Sequence, residues 1–155
     1  MEFQPVKPHL EYLCQANIEL TDHIVVGATP QGVRHVIPFT GRFVGDKLSG
    51  EILPGGTDCL IIRPDGTTLV DARYAIKTPD GALVYINNRG RRAASREVRE
   101  RLASGETVDP TTYYYRLTPE FETEAEQYAW LNDIIAICSA ARLPGQVIID
   151  FYIVR

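Results

Sequence analysis

The chain has 155 residues, a net charge of −4, and is 45% hydrophobic and 23% charged. That length suits one domain over residues 1–155 that buries its own core, and the acidic balance argues against nucleic acid or an anionic membrane as the main partner. Three scattered cysteines, Cys14, Cys59 and Cys138, fit a reducing compartment rather than a disulfide framework. With no secretory leader at the first residues and no apolar run long enough to span a bilayer, a cytoplasmic protein is expected.

Residues 9–27 read as extended, with Leu10, Tyr12, Cys14 and Ala16 on one face and Leu13 on the other. Val33 to Phe39 is β-prone and Gly41 ends it; Pro38 inside it implies an edge, a bulge or a bend. Gly41, Gly45, Gly50, Gly55 and Gly56 follow at short intervals, as the tight corners of a barrel require. The tripeptide Pro-Asp-Gly then occurs twice, at Pro64–Gly66 and Pro79–Gly81. Proline presets φ, aspartate accepts a local hydrogen bond and glycine supplies φ > 0, so each copy is a turn. Together they predict an antiparallel meander of Leu60–Arg63, Thr67–Lys77 and Ala82–Asn88.

Beyond the meander, Ser95 caps a short charged helix in which Val98 and Leu102 share a face and which Gly105 stops. So short a helix needs docking on a larger body. Tyr113 to Leu117 is a strand by composition, broken at Thr118-Pro119. Glu122 to Trp130 is rich in helix formers, whereas Trp130 to Ile137 reads as a buried strand. Pro144-Gly145 turns the chain into a last strand, Gln146 to Val154, with Val147, Ile149, Phe151 and Ile153 on one face. About eight to ten short strands, one helix and no βαβ alternation make an all-β antiparallel barrel or sandwich the economical architecture.

The ordered set Leu53-Pro54-Gly55-Gly56-Thr57-Asp58, Asp65-Gly66, Asp71-Ala72-Arg73-Tyr74, Asp80-Gly81, Tyr115-Arg116, Pro119-Glu120-Phe121-Glu122 and Trp130-Leu131-Asn132 resembles the domain of unknown function 3237 family over nearly the whole chain. The resemblance implies a single antiparallel β-barrel of calycin (lipocalin-like) shape, with one short helix in a long loop, and a pocket for a small molecule. Some fungal relatives close an oxygen heterocycle in polyketide biosynthesis by adding a hydroxyl across an alkene, so cofactor-free cyclase chemistry is implied as well. Two positions depart from the family pattern. Cys59 stands where an aromatic usually follows the aspartate, and Ala141 precedes Arg142 where glycine is usual.

A barrel of about eight strands is filled by side chains or holds one small ligand, so strand facing decides every site assignment. Asp71 and Arg73 point the same way. They form either a surface ion pair or a lumen pair in which Arg73 orients a phenolate, enolate or carboxylate and Asp71 helps to bind it. Asp58, after two glycines, is either a turn residue or a general acid or base at the barrel mouth. Tyr85 and Asn87 share a face. Tyr115 is a core tyrosine or, like Tyr85, a proton donor; Arg116 lies on the opposite face from it. Trp130 and Asn132 are a core indole and a bulge-closing amide, or a wall and an orienting amide for a planar ligand.

The catalytic candidates are therefore Asp58, Arg73, Tyr85 and Tyr115, and the substrate-binding candidates Asp71, Asn87, Arg116, Trp130 and Asn132. The basic cluster Arg89, Arg91, Arg92, Arg96, Arg99 and Arg101 is either a solvated helix face with its approach or a lid that recruits an anion. His9, His23 and His35 lack metal-ligand spacing. The reading is a cofactor-free, metal-free cyclase or isomerase acting on an oxygenated small molecule; its rival is a non-catalytic carrier of a hydrophobic metabolite. The oligomeric state stays open, a homodimer included.

Overall fold

In a computed structural model describing residues 1–155, strict alternation of buried and exposed residues in the second half of the chain rolls a sheet into a closed antiparallel barrel. The strands are β1 (Leu10–Leu20), β2 (Ile24–Thr29), β3 (Gly32–Val44), β4 (Gly50–Ile52), β5 (Thr57–Asp58), β6 (Ile61–Ile62), β7 (Thr68–Lys77), β8 (Leu83–Ala93), β9 (Tyr114–Glu122), β10 (Ile135–Leu143) and β11 (Gln146–Val154). They make an eight-stranded barrel. β1 and β2 lie along the same side of β3, and the broken run β4–β6 fills the place between β3 and β7. Pairing of β1 with both β3 and β11 closes the circle. The core is the lumen itself, packed by Phe43, Tyr74, Ile76, Ile86, Phe121, Phe151 and Ile153.

Both Pro-Asp-Gly turns have one geometry. Arg63 and Thr78 open them, accepting from the N–H of Gly66 and Gly81 and donating to Thr67 and Ala82. Gly66 and Gly81 take φ of +85° and +87°. The predicted meander is present, and β8 continues past it to Ala93. The helix α1 (Arg96–Ala103) starts on Ser95, whose hydroxyl accepts from the Val98 N–H, and it docks through Val98.

Four local expectations are corrected. A bulge between Tyr12 and Cys14 turns Leu13 and Cys14 both inward and leaves Leu10 and Tyr12 exposed, because the extra residue breaks the two-residue period. Gly41 does not end β3. It sits inside the strand at φ +145°, where a side chain would collide with the Asn17 carbonyl. Pro119 does not break β9: β9 pairs with β10 only at Arg116 and Leu117, so the N–H that proline lacks falls outside that ladder. Glu126–Asp133 is a 3-10 helix, with β10 beginning only at Ile135. No helix is long and apolar enough to cross a membrane.

Candidate functional site

Asp58 reaches the inner wall because Pro54-Gly55-Gly56 folds tightly just before it. Gly55 has φ +105°, and a Cβ on Gly56 would sit 3.1 Å from that of Tyr74. β5 is thereby wedged between β3 and β7, with Asp58 opposite Ile37 and Ala72. The Asp71 N–H donates to Asp58 Oδ1 at 3.1 Å. Burial pushes the Asp58 carboxyl up to about 6, against the pull of that hydrogen bond and of the Arg92 charge.

Tyr115 lies across from Arg92 in the β8–β9 register and is buried. The Arg92 guanidinium stands over its ring, 5.6 Å from the centroid. Burial pushes the phenol up to about 12, with Arg92 pulling it back. On β10 the alternation Ala136, Cys138, Ala140 carries Arg142 to the same inner face. Its guanidinium donates to the carbonyls of Leu143 and Gln146, and its backbone N–H donates to the Tyr113 hydroxyl at 2.9 Å. His23 Nε2 lies 2.5 Å from His35 Nδ1 at the rim.

These groups line one cavity of ≈ 670 Å³ at the barrel mouth, between the strands and α1. Half of its lining residues are apolar, among them Ile37, Leu60, Ile62, Val70 and Val147. Deeper in the lumen, Asn88 donates to the Cys138 sulfur at 3.8 Å, while the Tyr74 hydroxyl and Asn88 Oδ1 have no partner. A more open depression of ≈ 700 Å³ lies on the outer wall, around Arg89, Arg91 and Tyr114. We take the mouth as the site, since there four strands bring the ionisable side chains Asp58, Arg92, Tyr115 and Arg142 together around an open cavity.

Of the candidates named from sequence, Asp58 and Tyr115 share the mouth cavity. The lumen-facing reading fails for Asp71, Arg73, Tyr85 and Asn87, because register turns them outward, and Arg116 lies outside on the face opposite Tyr115, as expected. On β7 the buried face is Thr68, Val70, Ala72, Tyr74 and Ile76. Asp71 and Arg73 therefore stand outside as a surface pair at 3.4 Å, with Arg89 at 3.5 Å from the same carboxylate. On β8 the buried face is Val84, Ile86 and Asn88, which sends Tyr85 and Asn87 to the outer surface opposite Glu122 and Glu120. Arg116 stacks outside on Tyr114, 5.5 Å from its ring centroid.

Trp130 sits in the 3-10 helix and packs half-buried against the core away from the mouth. Asn132 accepts from the Thr123 N–H and donates to its carbonyl, bracing the end of β9. Sequence reasoning missed Arg92 and Arg142 as cavity residues. The signal was there, since Arg92 continues the alternation Val84, Ile86, Asn88, Gly90, and Arg142 continues Ala136, Cys138, Ala140.

A closed antiparallel barrel with a half-apolar cavity at one mouth defines a class of small β-barrel proteins. Within it, residues 8–154 match the model of a family described as a protein of unknown function (DUF3237), and the chain belongs to that family. A UPF0311 protein from Clostridium acetobutylicum is 46% identical over 78% of this chain and 77% of its own. One from Rhodopseudomonas palustris is 40% identical over 94% and 97%. A hydroalkoxylation enzyme from Penicillium herquei is a more distant relative, 26% identical over 86% of this chain and 74% of its own. Among solved structures, a protein of unknown function from Rhodopseudomonas palustris superposes with a TM-score of 0.92 at 37% identity, covering 97% of this chain and all of its own. A β-barrel-like protein from Acinetobacter baumannii gives 0.87 at 38% identity, covering 99% and 100%.

Proposed function

We propose that this protein is a cofactor-independent cyclase that adds a hydroxyl across an alkene within one oxygenated, mostly apolar metabolite. The observation that carries this reading is the placement of Asp58 and Tyr115 in one half-apolar cavity. The distant hydroalkoxylation relative supports it. Near neutral pH a carboxyl poised at about 6 is mostly ionised and accepts protons, while a phenol held at about 12 stays protonated and donates.

The step balances as follows. The substrate hydroxyl oxygen attacks one alkene carbon and forms the C–O bond, and its proton passes to Asp58. The π pair of the broken alkene bond takes the Tyr115 proton at the other carbon. Asp58 then returns a proton to the phenolate, through the bound product's surroundings or water, and the product is an isomer of the substrate. The apolar walls hold the chain folded on itself, which removes part of the entropic barrier.

The test is turnover of ortho-prenylphenols in D2O, followed by chromatography and NMR. Cyclic ether bearing one deuterium at the protonated carbon is expected. Y115F and D58N should each lower kcat by about 10²-fold or more and leave substrate binding within a few-fold. Binding without conversion of any such substrate would instead make the protein a carrier of the same molecules.

A further inference from the structure

We propose that the ligand of the mouth cavity carries an oxyanion, a carboxylate or a phenolate, on an apolar ring skeleton, and that Arg92 and Arg142 clamp that oxyanion. The inference rests on the cavity being a small-molecule site.

The two arginines come from different strands and converge by register. Arg92 ends the inward row of β8, Arg142 ends that of β10, and Tyr115 of β9 lies between those strands. Neither guanidinium pairs with a carboxylate; the ion pairs of the molecule engage Lys47, Arg63, Arg73, Arg89, Arg96, Arg101 and Arg155 instead. The other charges lining the cavity do not neutralise them. Arg96 and Glu100 pair with each other at 2.9 Å. Arg99 adds a further positive charge, its guanidinium donating to the Ala94 carbonyl and lying against Gly66. Asp58 is the one remaining carboxyl.

A net positive cavity in a chain of net charge −4 is a local arrangement, not a reflection of composition. Like charges brought together away from water are costly without a counter-charge. Burial and the nearby Arg92 charge indeed push the Arg142 guanidinium down from its ordinary value. An oxyanion supplies the counter-charge and accepts the directional N–H groups of both forks. Arg142 is oriented for this by the carbonyls of Leu143 and Gln146, and Arg92 by the face of Tyr115. The apolar lining then selects the ring skeleton.

Calorimetric titration at pH 7.5 and low salt tests the clamp with two matched pairs: naphthalene-2-carboxylate against its neutral carboxamide, and 4-nitrophenolate against 4-nitroanisole. Each anion should bind at least about tenfold more tightly than its neutral partner. R92M and R142M should each erase that preference while leaving the neutral probes unchanged, which also reports that the variants fold. A preference in one pair only assigns the anion as carboxylate or phenolate. Equal binding of anion and neutral probe in the wild type, or an anion preference that persists in both variants, overturns the clamp and leaves the pocket standing. Failure of all four probes at millimolar concentration would overturn the small-molecule site along with the clamp.

Discussion

Asp58 and Asp71 show how two aspartates on paired strands come to differ. Asp71 faces water between two arginines, where such pairs contribute under about 1 kcal/mol. Asp58 faces the cavity and pays for desolvation. Its folded acidity near 6 lies above that of the unfolded chain, so the folded state holds the extra proton between about pH 4 and 6 and loses stability as pH rises through that window. Replacing the carboxylate by an amide keeps an acceptor for the Asp71 N–H and removes the charge. D58N should therefore be more stable than the wild type at pH 7, by up to about 3 kcal/mol, with the difference closing near pH 4; urea titrations at the two pH values check this. In the catalytic reading the same group works as a base, so kcat should fall as pH drops through about 6. The cysteines divide in the same way. Cys14 and Cys138 are fully buried and their thiols are pushed up by burial, whereas Cys59 is exposed. A disulfide reagent should titrate one thiol in the native protein and three after denaturation.

At the scale of elements, the twin turns offer an internal comparison. Gly66 and Gly81 have nearly the same φ, so alanine at either position meets the same backbone penalty of roughly 1 kcal/mol. Around Gly81 there is open space, whereas a Cβ on Gly66 would lie 2.4 Å from the Arg99 guanidinium. G66A should thus displace Arg99 from the Ala94 carbonyl and loosen α1, raising amide exchange there. G81A should lower stability alone, with α1 exchange unchanged relative to global unfolding. The turns and the capped helix were legible in sequence, because proline, glycine and Ser95 act through their own backbones. The bulge at Leu13 and the continuation of β3 through Gly41 were not. Both depend on which strand lies alongside, and no local residue announces that.

For the whole molecule, the lumen is a single cluster joining staves far apart in sequence. Phe151 of β11 meets Phe43 of β3 at 5.1 Å between ring centroids and Phe121 of β9 at 6.3 Å. F151A should cost about 3–5 kcal/mol and lower the urea midpoint of one cooperative transition, rather than detach a single hairpin.

The strand alternation, the paired turns and the helix cap follow from residues acting within a few positions of one another, and by themselves they determine an all-β antiparallel fold, barrel or sandwich. The side that alternation presents to the lumen is decided only on closure, when β8 and β9 set their registers and β5 is wedged against β7. A one-residue change of facing moves a whole row of side chains across the sheet. That is why Arg73, Tyr85 and Asn87 lie outside while Arg92 and Arg142 meet Asp58 and Tyr115 at the mouth.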